Sequence, residues 1–322
     1  MFGLSMMQAG IGLVALGFVA MNALAYRHAR SMLRFSSAGE KTGKPETLSV
    51  SQKLKVLLNG VDLPRPRTSV SVEALGPDAR SVRIPVAESV QLGGWYCCQQ
   101  RGGPLVIFLH GYASEKSGLL PEALAFLELG YSVLLIDFRG SGESSEAYTT
   151  IGLREAEDVV GAARFGREVL GHSRCVLYGQ SMGAAAVLCA IARHGLKVDG
   201  IIIESVFDRL STTVKHRFEA MGLPSFPFAQ LLLGWGSWQM GFNGFLHNPV
   251  DYARNVTCPA LFLHGAADPR ARIEEARAVF RAISGPRVMQ EFPQLGHASS
   301  IEVFPEQWSR AVTAFLSTIP NL

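Results

Sequence analysis

Cysteine is sparse and unpatterned: five in 322 residues, with Cys97 and Cys98 adjacent. An odd count without regular spacing excludes a disulfide framework and fits a reducing compartment. Cys175 and Cys189 fall in an apolar strand and a helix, where cysteine acts as a small buried residue. No Cys-x-x-Cys or His-Glu-x-x-His pair occurs and the histidines are scattered, so neither a metal site nor a cofactor is expected. Charged residues are only 18% of the chain, the formal net charge is +3, and no basic patch is interleaved with aromatics. Nucleic acid is therefore not an expected partner. Gly39-Glu-Lys-Thr-Gly43-Lys44 falls one residue short of a phosphate-binding loop and has Pro45 where such a loop needs Ser or Thr.

Charge is absent altogether from Phe2 to Tyr26. As a helix this run is about 37 Å long, enough to cross a hydrocarbon core of about 30 Å. Ala23-Leu24-Ala25 resembles a signal-peptidase site. The run has no basic leader, however, and its apolar part exceeds the usual signal core, which favours an uncleaved single-pass anchor. Arg27, His28, Arg30 and Arg34 follow at once, and this flank would keep the rest of the chain on the cytoplasmic side.

The expected organisation is a transmembrane anchor over residues 1–30, a linker over 31–68 and a catalytic domain over 69–322. Within the linker, Leu48 to Leu58 reads as a short amphipathic helix lying along the membrane or against the domain. Ser69 to Ala74, Arg80 to Ala87 and Leu92 to Gln99 alternate like antiparallel hairpin strands. Near-continuous apolar runs follow at 105–109, 133–136, 175–177, 201–203, 260–263 and 288–292. Helix-period segments at about 117–129, 152–170, 181–194, 272–284 and 302–318 lie between or after them. This alternation predicts an α/β fold: a mostly parallel eight-stranded sheet covered by helices. Ligands of such sheets bind outside the carboxyl ends of the strands.

Polar residues gather at those ends. The run Cys175-Val-Leu-Tyr-Gly179-Gln-Ser181-Met-Gly183 places a serine on a tight turn between strand and helix. A serine hydroxyl needs a base to take its proton and a carboxylate to orient that base. His297, after the last strand, and Asp268, in His264-Gly265-Ala-Ala-Asp268, supply those roles in the order Ser, Asp, His. Glu204, at another strand end, is the rival acid. The N–H of Met182 opens the following helix and Tyr112 lies in the His110-Gly111-Tyr112 loop, so the two make a candidate oxyanion hole. His110 is expected to hydrogen-bond within its loop, Asp137, Arg139 and Ser144 to brace a turn, and Asp158 to be a solvated or capping charge.

The HGY loop, DFRGSGES, GQSMG, HGAAD and GHAS together resemble the α/β-hydrolase superfamily over about residues 70–320. The closer resemblance is to its serine-aminopeptidase-like and lysophospholipase-like branch, whose members often carry an N-terminal anchor. The resemblance implies a triad at Ser181, Asp268 and His297 and an oxyanion hole at Tyr112 and Met182. HGGG is missing, which disfavours the hormone-sensitive-lipase branch, and the nucleophile is not cysteine, which argues against dienelactone-hydrolase chemistry. Residues 206–255 are too long for one crossover helix and rich in aromatics, and read as a helical lid. Trp235, Trp238 and Phe226 are its expected substrate contacts. The expected function is a membrane-anchored serine hydrolase cleaving an ester or thioester of a hydrophobic, lipid-like or small acyl substrate through an acyl-enzyme. Acyl transfer by the same triad and a non-catalytic binding protein remain as alternatives.

Overall fold

The computed structural model describes residues 2–43 and 47–320, with side chains of the first helix from residue 8 and from residue 10 onward. Lys44 and Pro45 of the rejected phosphate-loop stretch lie outside these residues. Eight strands form one sheet: β1 Arg80–Ala87, β2 Val90–Cys97, β3 Leu105–Leu109, β4 Ser132–Ile136, β5 Cys175–Gln180, β6 Gly200–Glu204, β7 Ala260–Gly265 and β8 Arg287–Phe292. Their spatial order is β1-β2-β4-β3-β5-β6-β7-β8. β2 runs antiparallel to both its neighbours, and the pairs from β4 to β8 are all parallel. β1 lies at the edge and is mostly exposed, whereas β3, β4, β6 and β7 are buried along their whole length. That is why the latter read as unbroken apolar runs.

The helices are α1 Phe2–Leu33, α2 Val50–Asn59, α3 Leu120–Glu128, α4 Glu155–Glu168, α5 Met182–His194, α6 Leu210–Ala220, α7 Phe228–Met240, α8 Pro249–Tyr252, α9 Ile273–Ala282, α10 Ser300–Val303 and α11 Pro305–Leu316. Period-2 alternation splits the central strands between two cores. Leu105, Ile107 and Leu109 face α4, α5, α8 and α9, while Val106 and Phe108 face Phe126 of α3 and Trp308 of α11. A third cluster joins Ala29 of α1 to Leu210 and Val214 of α6 and Leu232 and Leu233 of α7.

One expectation needs correction. Ser69–Ala74 is no strand: Val72–Leu75 makes a 3-10 turn ended by Gly76 at φ 129°, and Leu75 is buried beside Trp95. An alternation that short is overridden once one apolar residue finds a core. The stretch after α1, expected as a linker, is hydrogen-bonded to the domain. Phe35 N–H donates to Ala147 O at 2.9 Å, Ser36 N–H to Leu63 O at 2.9 Å, and Arg65 Nη1 to Ser144 O at 2.7 Å. The amphipathic helix forms as α2, capped by Ser49 and Gln52, and leans on α1, where His28 Nε2 lies 2.8 Å from Leu57 O.

Candidate active site

β5 ends at Gln180 and α5 begins at Met182, so Ser181 is the turn between them, with φ 53° and ψ −109°. That conformation is costly for a non-glycine residue and persists only where the surroundings enforce it. Here they do. A Cβ on Gly183 would meet Leu109 O at 2.0 Å, and one on Gly179 would meet Gly183 O at 2.8 Å. Strand, turn and helix therefore cross closely enough to need glycine on both sides. The Ser181 N–H is also tied to Glu204 O at 2.8 Å.

His297 sits in the loop between β8 and α10. Its Nδ1 lies 2.7 Å from Asp268 Oδ2, and Asp268 is buried behind it at the end of β7. The other oxygen, Oδ1, accepts the N–H groups of Arg270 at 2.8 Å and Ala271 at 3.1 Å. Burial pushes the Asp268 carboxyl up, but the His297 hydrogen bond and charge and those two amides outweigh it, and the net shift is downward. A carboxylate so held fixes the imidazole tautomer with its proton on Nδ1, leaving Nε2 free to accept a proton.

Ser181 and His297 line one cavity of about 460 Å³, together with Tyr112 and Met182. Its volume falls in the usual range for small-molecule pockets. The Gly111–Tyr112 loop approaches the serine closely, for a Cβ on Gly111 would stand 3.6 Å from Ser181 Cβ. Among the described residues no backbone carbonyl accepts the amide of Tyr112 or Met182. His110 is buried below. It accepts the Phe138 N–H on Nε2 at 3.1 Å and has Nδ1 2.8 Å from Gly111 O, and burial lowers its pKa. It is a neutral brace within its loop, as expected.

Glu204, the rival acid, is occupied elsewhere. Its Oε1 accepts the N–H of Ser300 at 2.8 Å and its hydroxyl at 2.5 Å, and Oε2 accepts Tyr178 OH at 2.8 Å. Nearby Glu122 Oε1 accepts Ser299 Oγ at 2.6 Å. Two buried carboxylates thus hold the residues that follow the His297 loop. Asp158, expected to be a solvated or capping charge, is instead buried and paired with Arg139, with Nη2 to Oδ1 at 2.7 Å. A helix face that looks polar in the sequence is here turned onto the brace of a turn.

The expected lid contacts also need correction. Residues 206–255 supply α6 and α7, which wall the cavity through Leu210, Val214, Leu232, Leu233 and Gly236. Trp235, Trp238 and Phe226 are not among its lining residues. Phe226 and Trp238 are 75% and 71% exposed, and Trp235 Nε1 donates to Asn22 Oδ1 of α1 at 3.1 Å. Helical phase turns those rings outward or toward α1. The residues missed are on α1 itself, where Ala29, Met32 and Leu33 line the cavity. Their spacing, three and four apart, marks one helical face, but inside a run read as an anchor that signal is masked.

Sheet order and flanking helices define an α/β-hydrolase. The chain belongs to the prolyl oligopeptidase family, whose model matches residues 121–321. It is similar to the protein YfhR of Escherichia coli O157:H7, at 28% identity over 260 residues covering 75% of this chain and 84% of that one. Similarity to the lysophosphatidylserine lipase ABHD12 of Danio rerio is 24% over 215 residues, 58% of this chain and 52% of that one. Among solved structures, the Pyrococcus furiosus esterase Pf2001 superposes with a TM-score of 0.66 at 24% identity, over 79% of this chain and 96% of that one. The fold is thus that of esterases and lipases, and the protein is a hydrolase by family.

Proposed function

We propose that this protein is a serine hydrolase that cleaves an ester or thioester of a hydrophobic acyl group while held at a membrane by α1. The observation that carries the reading is that Ser181 and His297 share one largely apolar cavity, with Asp268 bonded to the far side of the imidazole. Ser181 Oγ attacks the acyl carbon as its proton passes to His297 Nε2. The tetrahedral oxyanion is held by the N–H groups of Met182 and Tyr112. The bond to the leaving oxygen or sulfur then breaks, and His297 returns the proton to it. Water repeats the sequence on the acyl-enzyme, releasing the acid and free Ser181. Asp268 holds the imidazole throughout.

Leu210, Val214, Leu232 and Leu233 form the apolar wall against which the acyl chain lies, with α6 and α7 acting as the lid. The similarity to a lysophosphatidylserine lipase supports a lipid-like acyl substrate. An uncleaved α1 is supported by the packing of Asn22 and Ala25, which flank or complete the Ala23-Leu24-Ala25 stretch, into the domain. The domain division that follows is an anchor over residues 1–30, a connecting stretch over 31–68 and a hydrolase unit over 69–322, with its side on the cytoplasmic face of the membrane.

The test is a panel of p-nitrophenyl esters of increasing chain length with wild type and Ser181→Ala, alongside labelling by a fluorophosphonate probe. Turnover that rises with chain length, with both turnover and labelling lost in Ser181→Ala, supports the assignment. Folded wild-type protein that neither reacts with the probe nor turns over any ester overturns it.

A further inference from the structure

The first helix does two jobs along its length. From Gly10 to Ala20 its side chains are exposed all round, and among the described residues its first side-chain hydrogen bond to the rest of the chain is at Asn22. Residues 2–21 of this helix are about 30 Å long, the thickness of a bilayer's hydrocarbon core. Beyond them α1 shows three faces. Asn22, Tyr26, Ala29 and Leu33 lie on α7: Trp235 bonds Asn22, Gln239 Nε2 donates to Tyr26 O at 3.0 Å, and a Cβ on Gly236 would meet Leu33 Cδ1 at 3.1 Å. His28 and Ser31 lie against α2. Arg27, Arg30 and Arg34 form the exposed third face.

No length of free chain therefore separates the span from the hydrolase unit, and whatever flanks α1 at Tyr26 and His28 lies at the level of the lipid headgroups. Two exposed apolar groups are found there. Trp238, mostly exposed, packs against Tyr26 with ring centroids 6.3 Å apart. On the α2 side, Val50, Leu54 and Leu58 repeat every four residues and are 85%, 56% and 57% exposed. Tryptophan at the headgroup level and an amphipathic helix lying in the interface are both recurrent membrane contacts. The arginine face adds attraction to anionic headgroups.

We infer that Trp238 and the Val50–Leu54–Leu58 stripe of α2 seat the hydrolase unit on the bilayer, and that the acyl chain enters the cavity directly from the lipid along α1. The occupant of this surface is the lipid bilayer. The continuity of the patch with the span identifies it, and so does the fact that the same helix goes on to line the cavity. Ala29 stands about 10 Å along the axis from Asn22, and Met32 and Leu33 follow within one turn. The Met32 carbonyl also accepts Tyr112 OH at 2.6 Å, tying α1 to the proposed oxyanion loop. Ala29, Met32 and Leu33 give an acyl chain following α1 an apolar wall at the cavity end of that path. This entry route rests on the proposed ester or thioester hydrolysis.

The experiment uses the full chain reconstituted in phosphatidylcholine–phosphatidylglycerol vesicles. Brominated phosphatidylcholine is expected to quench tryptophan fluorescence in wild type, and Trp238→Phe to remove much of the quenched component. In the same vesicles, Leu54→Ser/Leu58→Ser is expected to slow hydrolysis of a bilayer-embedded long-chain ester about tenfold, while a soluble short-chain ester is turned over at the wild-type rate. Unchanged quenching in Trp238→Phe, or equal rates for the double variant and wild type on the embedded ester, overturns the seat. Wild type inactive on both esters defeats the hydrolase reading instead, and the quenching then decides the seat by itself.

Discussion

Glu204 Oε1 accepts both the backbone N–H of Ser300, at 2.8 Å, and its hydroxyl, at 2.5 Å, three residues beyond His297. The same residue's backbone carbonyl holds the N–H of Ser181 at 2.8 Å. One strand end therefore positions both the candidate nucleophile and the segment that follows the candidate base. Glu204→Ala is expected to lower kcat about 10- to 100-fold through misplacement of the imidazole, with a much smaller change in KM. Glu204→Gln, which keeps an acceptor at Oε1, should recover most of the loss. Steady-state kinetics on the three proteins, with a thermal melt to show folding, checks the assignment of Glu204 as a positioning residue.

Glu122 is the more weakly satisfied of the two buried carboxylates, since its Oε2 has no hydrogen-bond partner among the described residues. Burial, then the neighbouring Glu204 charge, raises its pKa to about 8. Burial raises Glu204 as well, against the several donors on that residue that favour its charged form. In the unfolded chain Glu122 would titrate near 4.5. Between those values the folded state binds the extra proton, so stability falls as pH rises and levels off above about 8. Glu122→Gln removes this ionisation. Melting temperatures measured from pH 5 to pH 9 are expected to fall less steeply for the variant than for wild type.

Asp268→Asn should leave the fold intact and cut kcat by about 10⁴, because the imidazole loses the partner that fixes its tautomer. The folded pKa of Asp268 is depressed, so its contribution to stability is present above the unfolded value and is lost as pH falls through the folded one. The variant should therefore show a shallower loss of melting temperature on the acid side than wild type. Ester turnover and melts below about pH 5 test both effects.

Arg139 is held by Asp158 through Nε, Nη2 and its backbone N–H, deep beneath the turn at residues 139–148. Asp158→Ala leaves the buried guanidinium with only the half-exposed Glu157 as a carboxylate partner and is expected to cost about 3–5 kcal/mol, whereas replacing both partners, as Arg139→Met/Asp158→Leu, should recover much of that. For a domain of this size the single variant should melt roughly 10 °C lower. Differential scanning calorimetry on the two variants distinguishes a structural ion pair from a surface charge.

Local chemistry wrote much of this protein into its sequence. Apolar runs of three to five residues mark β3 to β7 because those strands are covered on both faces. Gly179 and Gly183 mark the serine turn because no side chain fits beside Leu109 and Ala184. The loops carrying Asp268 and His297 are recognisable because each directly follows a strand. Where the reading failed, the deciding contacts are distant in the chain. Asp158 looks like any helical surface carboxylate until Arg139, nineteen residues earlier, is folded against it. The rings of Trp235 and Trp238 look like a substrate wall until the phase of α7 is set by α1, more than two hundred residues away.

The sequence by itself determined the strand and helix order, the turn that lifts Ser181 and the apolar length of α1, since these depend on periodicity, glycine positions and hydrophobicity over a few neighbouring residues. Only the tertiary structure decided that α1 continues into the cavity wall, that Glu122 and Glu204 support the loop beside His297, and which side chains of α6 and α7 face the serine. Those outcomes depend on which helical faces meet, and one residue of rotation, about 100°, is enough to exchange a lining side chain for an exposed one.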